Sequence, residues 1–87
     1  MKTIFKYKLE VEAFQQIAIH QGAEILCVQV QDRDPHIWAM VESMAPLEVR
    51  SFYIFGTGDP IQNVMEPGKY IGTFQLCGGE LVFHLFN

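Results

Sequence analysis

No ten-residue window of this chain places apolar side chains at helical spacing; short runs alternate apolar and polar residues instead, cut by glycine and proline. The stretch from Lys69 to Asn87, KYIGTFQLCGGELVFHLFN, shows the pattern best. Two β-rich runs meet there at Gly78-Gly79, and a Gly-Gly pair between such runs predicts a two-residue hairpin turn, whose central residues need positive φ. Period-two spacing then puts Tyr70, Phe74, Leu76, Leu81, Phe83 and Leu85 on one face, a surface large enough for the rest of the chain to pack on.

The earlier chain follows the same rule. Thr3, Phe5, Tyr7, Leu9 and Val11 alternate with Lys2, Lys6, Lys8 and Glu10, which predicts a first strand whose lysines keep an outer face or edge solvated. Phe14–His20 and Glu24–Gln31 are the next two strands, the latter with Leu26, Val28 and Val30 on one side. Asp32-Arg33-Asp34-Pro35 reads as a turn, since proline cannot donate to a ladder. His36–Glu42 has Ile37, Ala39 and Val41 on one face and Trp38 and Met40 on the other, so it should lie centrally or meet another subunit. Leu47–Phe55 is the longest strand, with Glu48 and Arg50 on the side of Phe52 and Ile54. A single helical turn would fit at Ala45–Glu48 or across residues 61–65. The sum is an all-β chain: a small antiparallel β-sandwich or partly open barrel of six to seven short strands, one domain over residues 1–87, ending in a C-terminal hairpin.

Composition narrows the function classes. Half of the 87 residues are hydrophobic and the mean hydropathy is positive, more apolar surface than a core this small readily hides, which predicts a homodimer or larger assembly. Six basic residues against ten acidic ones give a net charge of −4, and only Lys2, Lys6 and Lys8 cluster, so generic nucleic-acid binding is not expected. Met1-Lys2 leads into an alternating strand, not an apolar signal core, and no apolar run is long enough to span a bilayer; a cytoplasmic protein is the expectation. Cys27 and Cys77 are then expected to be reduced, buried thiols.

Little in the sequence carries chemistry. His20, His36, His84, Cys27 and Cys77 stand at no metal-ligand spacing, so no metal or other cofactor is expected. Ser43 and Ser51 sit in no nucleophile motif, and the dispersed acids mark no carboxylate pair, so the expectation is not an enzyme. His84, inside an apolar strand, reads as a satisfied sheet histidine. The segment Gly56-Thr57-Gly58-Asp59-Pro60 is a structured loop, and with the irregular stretch to Gly68 it is the loop most suited to function. Its glycines could offer amides to an anion, although no helix follows and a strand-ending turn explains them as well. Among the aromatic residues most must be core; Trp38 and Tyr53, with Arg50, are types enriched in binding hot spots. The candidate ligand- or partner-binding set is therefore Arg50, Gly56, Thr57, Gly58, Asp59, Trp38 and Tyr53.

The segments MKTIFKYKLEV, GAEILCVQVQ, Trp38-Ala39-Met40-Val41, APLEVRSFYIFGTG and YIGTFQLCGGELVFHLF together resemble a family of small bacteriophage and prophage proteins of unassigned activity. The resemblance covers nearly the whole chain and implies an accessory role against host machinery by non-catalytic binding. One form is occlusion of a host protein such as a CRISPR-type defence component. A second is a homo-oligomeric sponge that sequesters a nucleotide signal, with Arg50 and the Gly56–Gly58 amides on phosphate. A third is a structural or assembly part of the phage.

Overall fold

Among the described residues seven strands form where the alternation predicts them: β1 (Lys2–Lys8), β2 (Phe14–His20), β3 (Glu24–Gln31), β4 (Asp34–Glu42), β5 (Leu47–Gly56), β6 (Tyr70–Leu76) and β7 (Leu81–Phe86). The computed structural model describes residues 1–61 and 68–87. The strands make two antiparallel sheets, β1-β4-β3 and β2-β5-β7-β6, packed as an open sandwich and not a closed barrel. Among the described residues no helix is long and apolar enough to cross a membrane.

The core lies between the sheets. β4, apolar on both faces, is the middle strand of its sheet and sends in Ile37, Ala39 and Val41; β5 sends in Phe52 and Ile54, and the hairpin adds Phe74 and Leu85. Leu9, Ile19, Ala23 and Val28 complete it. Each fully buried large side chain contributes about 1.5–3 kcal/mol. Tyr7 faces the same interior, and partial burial pushes its phenol above the usual tyrosine range.

Two β-bulges depart from strict period two. One between Ile25 and Cys27 lets Ile25 and Val28 both face the core, leaving Leu26 exposed. The other, between Tyr70 and Gly72, turns Tyr70 to the outside and brings Ile71 against the core, so Tyr70 does not share the face of Phe74 and Leu85. Just past it, β3 lies along β6, and a Cβ on Gly72 would come within 2.8 Å of Val28 Cγ1. The sheets meet this closely because that position has no side chain.

Several boundaries also move. The last nineteen residues do form a hairpin, but its connection is four residues long: Leu76 pairs with Leu81, and Cys77–Gly79 form a 3-10 turn with positive φ at Cys77, Gly78 and Gly79. β1 ends at Lys8 and not at Val11: the Leu9 amide still bonds the Pro35 carbonyl (2.9 Å), but Pro35 has no N–H to return the bond, and the ladder stops there. Pro35 lies inside β4, fully buried, opposite Val30. It is tolerated there because its missing N–H points to the side where β1 has just ended. Ala45–Glu48 is a bend running into β5, with no helical turn; the alternative at 61–65 lies outside the described residues apart from Ile61. The thiols correct an expectation too, since Cys77 is exposed on its turn and Cys27 is only half-buried.

Two outcomes follow from these corrections. The β3–β4 hairpin closes through Asp32 and Arg33, both at positive φ (52° and 72°), where the tight turn favours Asn-Gly or Asp-Gly. Arg33→Gly should therefore stabilise the protein by about 0.5–1 kcal/mol in thermal denaturation, despite the extra backbone freedom of glycine when unfolded. In the native protein a maleimide should label Cys77 rapidly and Cys27 several-fold more slowly, read by mass spectrometry.

Candidate binding face

Strand pairing determines which side chains share the outer face of the four-stranded sheet. Phe14 on β2 is opposite Tyr53 on β5, Tyr53 is opposite Phe86 on β7, and Phe86 is opposite Tyr70 on β6, so four aromatic side chains cross the sheet in one row. Their rings touch: Phe14–Tyr53 at 5.3 Å between centroids and Tyr70–Phe86 at 5.6 Å, edge to face. Phe55, one step along β5, meets Phe86 edge-on at 5.8 Å. Phe14 and Tyr70 remain about half exposed (49% and 52%), and Val49 and Leu47 further along β5 are at 62% each. This is apolar area that the fold itself does not cover.

A polar chain borders the row. Tyr70 OH lies 2.6 Å from Thr73 Oγ1, which lies 2.9 Å from His84 Nδ1, while His84 Nε2 lies 2.7 Å from Thr57 Oγ1. Hydroxyls both donate and accept, so the ring is satisfied in either tautomer. His84 is thus the satisfied sheet histidine its sequence context suggests. Between this chain and the aromatic rings lies an open hollow of about 240 Å³, walled by Phe55, Phe86, Tyr70, His84, Ile61 and the Gly56–Asp59 loop.

That loop is closed on itself. Asp59 Oδ2 accepts from the Gly56 amide (2.8 Å), the Asp59 amide returns to the Gly56 carbonyl (3.0 Å), and the Thr57 amide bonds the Val82 carbonyl (3.1 Å). A carboxylate already holds the place an anion would take at Gly56. The loop is a self-capped turn ending β5, and the rest of the stretch to Gly68 falls mostly outside the described residues.

The remaining sequence candidates are spread over the molecule. Tyr53 belongs to the aromatic row, whereas Trp38 lies on the opposite outer face, on the three-stranded sheet between Lys6 and Cys27. Arg50 points inward with Phe52, as the alternation indicates, and its guanidinium is engaged: Nη1 donates to the Ala23 carbonyl (2.9 Å) and Nη2 to Asn87 Oδ1, while Asn87 Nδ2 donates to the Ser51 carbonyl (2.8 Å). Six residues of strand, about 20 Å, separate Arg50 from Gly56, so the two do not meet over one ligand. Phe14, Phe55, Tyr70, His84 and Phe86 are the face residues missing from the candidate set. For Phe55 and Phe86 the signal was apolar character on both parities of β5 and β7, which a one-sided sheet does not need.

Fold and face together define a small two-sheet β-sandwich with an aromatic outer surface. The chain belongs to the DUF7352 family, a domain of unknown function whose family model matches residues 1–87. No curated protein and no solved structure matches it.

Because Arg50 spends its hydrogen bonds inside the protein, Arg50→Ala should lower stability by about 1–3 kcal/mol in urea denaturation, the cost of leaving half-buried acceptors unpaired. A variant of unchanged stability would show that the guanidinium ties are not structural.

Proposed function

We propose that this protein works by non-catalytic binding to another protein through the outer face of its four-stranded sheet, as a phage or prophage accessory protein that blocks a host factor such as a CRISPR-type defence component. The observation that carries the binding reading is the exposed aromatic row Phe14–Tyr53–Phe86–Tyr70 with Val49 and Leu47 beside it. Aromatic side chains supply large contact area at low conformational cost and dominate interface energetics. The setting comes from the resemblance to phage proteins. A second copy of the chain is the competing occupant of the same face, in keeping with the positive mean hydropathy. Sequestration of an anionic nucleotide draws less support, because the Gly56 and Thr57 amides are already bonded and Arg50 lies elsewhere.

The test pairs two exposed positions on adjacent strands. Phe14→Ser with Val49→Thr should shift stability only modestly, by about 0.5–1 kcal/mol. The same variant should reduce capture of a host protein from lysate at least tenfold relative to the parent. Light scattering on both proteins separates the occupants: a dimer that dissociates in the variant assigns the face to self-association. Undiminished capture and an unchanged oligomeric state would refute the assignment of this face.

A further inference from the structure

We propose that the hollow beside the aromatic row is a subsite for a cationic side chain, a guanidinium group above all, contributed by the protein partner; this rests on the protein-binding reading of the face. Three features of the hollow point to that chemistry. Its size, about 240 Å³, lies below the roughly 300 Å³ at which pockets for drug-sized ligands begin, so it suits one side chain. Its walls include the rings of Phe55, Phe86 and Tyr70, and aromatic faces attract cations through their quadrupoles, arginine most often because its flat group also stacks.

The third feature is charge. Asp59 lines the hollow and uses Oδ2 to cap the Gly56 amide; among the described residues nothing bonds its Oδ1, which can accept from a ligand. A second carboxylate, Glu80, lies with Asp59 on the other side of the same loop. No lysine or arginine is among the described residues lining either hollow, and both His84 nitrogens are turned to threonine hydroxyls. With a net charge of −4, long-range attraction also favours a basic partner. A phosphate group would meet the Asp59 carboxylate at a loop whose Gly56, Thr57 and Asp59 amides already have partners.

The probe is N-acetyl-arginine amide, titrated into the isotope-labelled protein and followed by amide chemical shifts. Its control is N-acetyl-citrulline amide, of the same shape without the charge, with AMP as an anionic ring. Saturable shifts confined to Gly56–Asp59, His84 and Phe86 are expected, with a dissociation constant on the order of 10 mM, as befits one exposed group. Citrulline should bind at least about fivefold more weakly, at roughly 1.4 kcal/mol per tenfold. Asp59→Asn keeps the cap on Gly56 and should abolish the preference for arginine over citrulline. Phe55→Leu, away from the cap, should weaken arginine binding with the fold intact, and serves if the Asp59 variant loses its loop structure. Equal binding of arginine and citrulline, tighter binding of AMP, or no saturable shift would overturn the subsite. If any of these occurs while Phe14→Ser with Val49→Thr still disrupts partner capture, the subsite fails and the protein-binding face stands. Loss of the face with arginine binding intact is the opposite failure.

Discussion

Everything in this fold depends on how two sheets that share no ladder among the described residues are held in register. Their inner apolar rows bring the sheets together, with Phe52, Ile54 and Leu85 on one side and Ile37, Ala39 and Val41 on the other, but burial is not directional. Direction comes from two features. Gly72 lets β6 approach Val28 of β3 along one side, and Arg50 reaches from β5 to the carbonyl of Ala23, where β3 begins. The arginine also holds Asn87, which in turn bonds the Ser51 carbonyl, so the end of β7, the middle of β5 and the entry to β3 converge on one guanidinium. A fixed planar donor fork does this better than a lysine could.

Much of that architecture is legible in the sequence because sheets translate hydrophobic patterning directly into facing. The two-sided β4 becomes a central strand, and the inward parity of Glu48 and Arg50 with Phe52 follows from counting alone. What counting misses is any place where the backbone inserts a residue. The bulges at Ile25/Cys27 and Tyr70/Gly72 each reverse the parity beyond them, which is why Tyr70 lies outside and Ile25 inside. Nothing in the residue types there distinguishes a bulge from a regular ladder; partner strands decide it. Pro35 misleads for a related reason, because whether a missing N–H matters depends on which neighbour ends where.

The candidate site was legible in its parts and not in its assembly. Residue type singled out Tyr53 and the Gly56–Asp59 loop, which lie at the outer face of the four-stranded sheet, yet it grouped them with Arg50 and Trp38, which chain parity and sheet order send to the interior and to the opposite face. The aromatic row needs four strands in a specific order, β2-β5-β7-β6, and no local pattern encodes that β7 lies between β5 and β6.

β5 shows how one strand of a short chain can serve both a core and an exposed aromatic face. Its inward residues hold the sandwich, its outward residues Tyr53 and Phe55 join the aromatic face, and its terminal loop borders the hollow. At that loop one side chain sets the sign of what can approach. Glycines at Gly56 and Gly58 would by themselves leave a strand end open to an anion; Asp59 folds back on the Gly56 amide, satisfies it and presents negative charge in its place. The loop's backbone and its electrostatics therefore share one cause, and it is on this that the proposal of a positively charged group at this end of the sheet rests.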